Sequence, residues 1–219
     1  MPRLLFKKSG NAIWISHLDL MRLFQRTFKR AGLPLKHTQG FNPRPSVSIA
    51  LPLSVGVESC CELLDFDLDC EYSQWDQLAE RLNSVLVEDV SVLQAYSDGR
   101  KIRDISLMRS LITLGYDRVV PAGAADAIGA LLRRDSVTVT KKTKSGLQEQ
   151  DIIPMIRRFE VRETADNRIE IEVLHCCQNP TLNPMQIPAA IRVYLPDYAP
   201  DYERCCRLEI YDNNEVVFR

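Results

Sequence analysis

Along the 219-residue chain the spacing of apolar residues changes period several times, and each change marks an element. Residues 2–8 (PRLLFKK) have the pattern of a strand closed by Ser9-Gly10-Asn11. Leu20, Met21, Phe24, Phe28 and Ala31 then recur at the spacing of a helix facing a core. Ser16 stands at the N-cap of that helix, with Asp19 three residues on, an acid beside the positive helix end. Gly32 and Pro34 stop it. After a run of turn formers from His37 to Pro45, residues 46–53 and 60–68 are predicted strands, separated by Ser54-Val55-Gly56-Val57. Ser73 is expected to cap a second helix to about Leu86, with Trp75, Leu78, Leu82 and Val85 inward, and 90–96 (VSVLQAY) to form a fourth strand. The order is β-α-β-β-α-β, the ferredoxin-like or split-βαβ pattern.

The second half repeats that order less clearly. Strands are predicted at 110–120, 136–142, 157–163, 168–175 and 205–211, the last paired with 215–218. Helices are predicted over 123–134 and from Asn183-Pro184 to about Val193, although Pro188 sits inside the latter. The stretch Ser97-Asp98-Gly99-Arg100 is the expected boundary. The fold class is therefore α+β with tandem ferredoxin-like units, one over 1–98 and a second over 99–219.

Composition is that of an ordinary globular protein, 45% hydrophobic and 26% charged. No apolar run reaches the roughly 18 residues of a membrane span, and MPRLLFKKSG meets charge too early for a signal peptide. A cytoplasmic protein without membrane association is expected. The formal net charge of −1 conceals a strong asymmetry. Residues 1–57 hold nine bases (Arg3, Lys7, Lys8, Arg22, Arg26, Lys29, Arg30, Lys36 and Arg44) and a single acid, Asp19. Residues 58–98 hold eleven acids and one base, Arg81. Either the two blocks interleave in space and neutralise each other, or they make a dipolar surface that binds an anion on one side and a basic partner on the other.

Candidate chemistry is sparse. The seven cysteines fall as Cys60-Cys61, Cys70, Cys176-Cys177 and Cys205-Cys206, without C-x2-C spacing. Vicinal thiols cannot readily clamp one ion, so the expectation is reduced, largely buried thiols with no metal and no cofactor; a site built from distant pairs with His175 is the alternative. The phosphate-loop, dinucleotide, zinc-protease and nucleophile-elbow motifs are missing from the sequence. His17 and His37, near Lys36 and Arg44, could act as general acid and base on a phosphodiester, but no nucleophile-base-orienter set accompanies them. Binding fits better. Arg22, Arg26, Lys29 and Arg30, spaced i, i+4, i+7, i+8, share one helix face beside the loop Gly40-Phe41-Asn42-Pro43-Arg44-Pro45. Phe41 either plugs the core beneath that loop or stands out to engage an unstacked base together with Asn42. Lys141, Lys142 and Lys144 either extend the basic surface or serve solubility alone.

The run from Ile15 to Glu62 resembles the radical-SAM-linked protein family, a bacterial domain of unknown function. The likeness rests on Ser16-His17-Leu18-Asp19 opening a basic helix, Arg30-Ala31-Gly32-Leu33-Pro34 ending it, Gly40-Phe41-Asn42-Pro43, and the Leu51-Pro52-Leu53 turn. The resemblance implies association with cobalamin-binding radical SAM proteins, to which members are fused or beside which they are encoded, often near RNA-processing and ribosomal-protein genes. This chain lacks the C-x3-C-x2-C run of such an enzyme, so the resemblance implies a stand-alone form with the radical chemistry in a separate protein. No catalytic residues carry over. By architecture the chain is also similar to the CRISPR repeat-processing endoribonucleases. The expected function is a non-enzymatic adaptor binding tRNA or rRNA through Arg22, Arg26, Lys29, Arg30, Lys36, Gly40, Phe41, Asn42 and Arg44. The alternatives are a metal-independent endoribonuclease using His17 and His37, and a purely protein-binding subunit.

Overall fold

A computed structural model describes residues 1–143 and 146–219. The chain divides into two compact units, Met1–Asp104 with Val217–Arg219, and Ile105–Val216.

The first unit contains β1 (Arg3–Lys8), α1 (His17–Arg30), β2 (Val47–Ile49), β3 (Glu58–Phe66), α2 (Trp75–Asn83) and β4 (Val90–Tyr96). Its strands lie in the order β4-β1-β3-β2 with antiparallel neighbours. That order is what two interlocked split βαβ connections produce, and both helices follow from it. Apolar residues on the inner face of α1 meet the sheet. The Phe24 ring lies edge-on to Phe6 at 4.7 Å, and Phe28 meets Phe66 at 4.8 Å. Ser16 caps α1 as expected, its Oγ accepting from the Asp19 amide at 3.2 Å. At the other end Leu33 N–H donates to Phe28 O and Gly32 N–H to Lys29 O, with Gly32 at φ +69. This is a Schellman closure, and Arg81 of α2 satisfies a further carbonyl by donating to Ala31 O at 2.8 Å.

Several expectations are corrected here. Ser73 is not the cap of α2, which starts after Gln74 without a side-chain cap. The strand predicted over 46–53 shortens to Val47–Ile49, because Leu51 turns to φ +48 and Pro52 has no N–H for a ladder. Two of the nine early bases are interior. Arg3, 1% exposed, pairs with Asp65 (Nε–Oδ1 2.5 Å) and donates to Arg100 O at 2.7 Å. Lys8 is buried and donates to Ile13 O and Ile15 O, tying the chain ahead of α1 to β1. Its burial lowers the lysine pKa, with the Glu62 carboxylate opposing.

Where the sequence pattern placed a boundary at 98/99, the chain stays with the first unit to Asp104. Gly99 N–H donates to Met1 O and Arg100 N–H to Arg219 O, and the Arg3 and Arg100 guanidiniums lie 5.4 and 5.0 Å from the buried Phe218 ring. Residues 215–218 accordingly form no strand with 205–211; Val217–Arg219 return to the first unit.

The second unit contains β5 (Ile105–Gly115), α3 (Ala124–Leu132), β6 (Thr138–Thr143), β7 (Gly146–Asp151), β8 (Ile156–Thr164), β9 (Arg168–Cys176), α4 (Gln186–Tyr194) and β10 (Tyr202–Asp212). Strands order as β10-β5-β9-β8, again antiparallel, while β6 and β7 pair as a separate hairpin. With that hairpin set aside, the element order and the strand order of the first unit recur. β7 was not legible in the polar GLQEQD run, and the strand predicted over 110–120 starts five residues earlier at Ile105. Lys144, of the expected basic loop, lies outside the described residues. Pro188 is buried in the first turn of α4, where the helix has no intrahelical acceptor for its missing N–H.

Candidate nucleic-acid interface

The outer face of α1 carries Arg22, Arg26, Lys29 and Arg30, all exposed. At about 100° per residue they fall within about 100° of arc and span about 12 Å of helix. Arg22 is partly committed, since its guanidinium pairs with Asp19 at 2.9 Å. The Ser16 hydroxyl and Arg22 hold the Asp19 carboxyl below the usual carboxylate range. Arg26, Lys29 and Arg30 form no ion pair among the described residues.

The segment that follows α1 folds back on itself. Ser46 N–H donates to Lys36 O at 2.7 Å, Thr38 N–H to Arg44 O at 2.9 Å, and Arg44 N–H to Thr38 Oγ1 at 3.0 Å. Lys36 N–H donates to Asp67 O, anchoring the base of this hairpin just beyond β3. These bonds leave Gln39 to Pro43 as a projecting tip. Gly40 at the tip has φ +128, a backbone angle that only glycine adopts without strain, and nothing lies within 4 Å of where a side chain would begin. Phe41 is 112% exposed, so it is not a plug beneath the loop. Asn42 and Arg44 are exposed beside it. Lys36 is held 3.4 Å from Asp67, which reduces its availability to a ligand.

Between the C-terminal half of α1 and this hairpin lies a cavity of about 520 Å³. Its lining includes Gln25 and Lys29 from the helix, Leu33 and Leu35 at the buried floor, and His37 and Pro45 from the hairpin. The cavity was not legible in the sequence. Gln25 belongs to no motif, and it is the tertiary fold, with His37 bridged to Pro45, that brings it together with Leu33 and the hairpin.

His17 and His37 do not form a pair. His17 is the first residue of α1, and His37 lines a cavity with Gln25 and Lys29, which lie about 12 and 18 Å further along the helix axis. Those axial offsets exceed the hydrogen-bond reach over which an acid and a base share one phosphodiester. His175 is buried in β9, where its Nδ1 donates to Cys176 O at 3.1 Å and its Nε2 accepts from Ser110 Oγ at 3.0 Å. Burial pushes its pKa down to about 4, with Arg207 adding to the effect against the Cys176 carbonyl. Cys61, Cys176, Cys177 and Cys205 are buried, and burial raises the Cys177 and Cys205 thiols to about 12. Among the described residues no group of three or more His, Cys, Asp or Glu side chains is placed to hold a metal ion. The acidic block is divided in the same way. Asp65 and Asp67 meet bases of the early block, and Glu62 is buried, while Asp69, Glu71, Asp76 and Glu80 remain exposed.

Residues 2–184 match the family described as "Uncharacterized protein conserved in bacteria (DUF2344)". The chain belongs to this family. The match takes in the whole α1 face, the hairpin and the cavity, so all three sit inside the DUF2344 region. No curated protein matches the chain. A chain in the crystal structure of a Cbf5-Nop10-Gar1 complex is similar in fold, with 8% identity and a TM-score of 0.53 over 95% of this chain. The DUF2344 chain spans about half of that one, 48% of its length. At so low an identity the likeness concerns the α+β fold alone. A second solved chain, described as an unknown protein from Galdieria sulphuraria, is 11% identical over 94% of this chain and 96% of its own, with a TM-score of 0.26. Among the described residues no helix is long and apolar enough to cross a membrane.

Proposed function

We propose that this DUF2344 protein is a non-enzymatic adaptor that binds structured RNA, a tRNA or rRNA, and presents it to a cobalamin-binding radical SAM protein. One observation carries the reading. Arg26, Lys29, Arg30 and Arg44 are exposed and form no ion pair among the described residues, beside a hairpin that holds the Phe41 ring in solvent. Free cations in a row supply phosphate contacts, and an exposed aromatic on a proline- and glycine-braced tip supplies a stacking surface for an unpaired base. Unpaired bases of that kind are presented by the loops and bulges of folded RNA. The radical SAM partner rests on the motif resemblance, and the exposed acids Asp69, Glu71, Asp76 and Glu80 suit a basic docking surface on it.

Binding of fluorescently labelled tRNA and rRNA fragments, followed by anisotropy, tests the reading. About four neutralised phosphates give a log–log salt slope between about −3 and −4. Arg26→Glu with Arg30→Glu is expected to weaken binding at least tenfold across sequences, and Phe41→Ala about tenfold with the slope unchanged. Unchanged affinity in the double variant refutes the proposed face.

A further inference from the structure

Resting on the RNA reading, we propose that the cavity between α1 and the hairpin is a subsite for one extruded nucleobase, with its ribose–phosphate lying outside across Lys29 and Arg30. Its volume of about 520 Å³ falls within the range of small-ligand pockets, and is ample for a single heterocycle. The floor is apolar, made by Leu33 and Leu35, and Pro45 lines the cavity as well, so a flat uncharged ring is the group it would desolvate at least cost. Gln25, Lys29 and His37 bring polar side chains to the same space. The Gln25 amide carries both a donor and an acceptor, the combination that a base edge requires, and the His37 ring nitrogens add a second hydrogen-bonding edge.

The helix end disfavours an anion deep in the cavity, and the exposed Lys29 ammonium in its lining draws a phosphate to the outer edge. The cavity adjoins the C-terminal turn of α1, where the carbonyl dipoles leave a partial negative charge. Phosphate therefore belongs on the outer row of cations, and the neutral base within. The walls are held before any ligand arrives. The Schellman bonds fix the helix end, and the Lys36–Ser46 and Thr38–Arg44 bonds fix the hairpin. A preformed pocket avoids the ordering cost of assembling one around the base. Phe41, on the same hairpin, offers its ring to an adjacent base in the strand.

The test uses the full chain and methyl NMR at Leu33 and Leu35. The probes are AMP, GMP, CMP and UMP, with ribose 5-phosphate as the base-free control. At least one nucleotide is expected to shift those methyl resonances, while ribose 5-phosphate leaves them in place. Gln25→Trp, which fills the cavity from the helix side, is expected to abolish the shift and to weaken a single-stranded RNA oligonucleotide about tenfold without altering its salt slope. His37→Ala, on the opposite wall, is expected to reduce the same shift. Equal shifts with ribose 5-phosphate, no shift with any nucleotide, or a shift that survives Gln25→Trp overturns the subsite. The wider RNA reading fails by a different result, unchanged RNA affinity when Arg26 and Arg30 are reversed.

Discussion

His175 illustrates how little a single residue reveals before its neighbours are known. In the alternating run RIEIEVLHC it occupies one more position of a strand, and its partner Ser110 lies 65 residues earlier. Once buried, the neutral ring is the stable form, with its folded pKa of about 4 below the ordinary 6.5. The unfolded chain therefore binds more protons between those two values, and stability falls as pH drops through that window. We expect a loss of about 2 kcal/mol between pH 7 and pH 4.5 from this residue, measured by urea unfolding, and a flatter profile in His175→Gln. An equally steep profile in the variant would place the effect elsewhere. Phe41 and Arg3 make the same point from opposite directions. A phenylalanine lies wholly in solvent and an arginine is 1% exposed, because the hairpin projects and Asp65 waits across β1 and β3.

Elements whose signals are local were legible. α1 carries its stop and start in consecutive residues, Ser16 with Asp19 at one end and Gly32 at the other. Alanine at position 32 would have to adopt φ near +69 and bring a methyl to 3.2 Å from an Arg81 nitrogen. Gly32→Ala is therefore expected to cost about 1–2 kcal/mol, read as a lower urea midpoint. The start of α2 departs from the local sequence signal because the decisive contacts are not local. Trp75 packs against Tyr72 at 5.4 Å and Phe66 at 6.3 Å, and the helix begins at that ring rather than after Ser73. The polar β7 shows no alternation to detect, being specified by its pairing with β6.

At the scale of the whole chain, the first unit is completed from both ends of the sequence. Phe218 is fully buried between the Arg3 and Arg100 guanidiniums, more than a hundred residues beyond the rest of that unit. Phe218→Ala is expected to destabilise it by about 3–5 kcal/mol, seen as lost amide protection across β1 and β4 in hydrogen exchange. The near-neutral total charge likewise conceals two arrangements. Arg3–Asp65 and Lys36–Asp67 join the basic and acidic blocks, whereas Arg26, Lys29 and Arg30 of α1 form no ion pair among the described residues.

Sequence alone determined the alternation of strands and helices, the ends of α1, and the presence of a basic row on one side of it. These depend on interactions between residues a few positions apart, which any single chain displays. Tertiary structure decided which bases remain in solvent, that Phe41 stands free, that His17 and His37 lie apart, and that Gln25, Leu33 and His37 enclose a cavity. Those outcomes depend on strand order and on where a hairpin is anchored, and both are set by contacts between residues far apart in the chain.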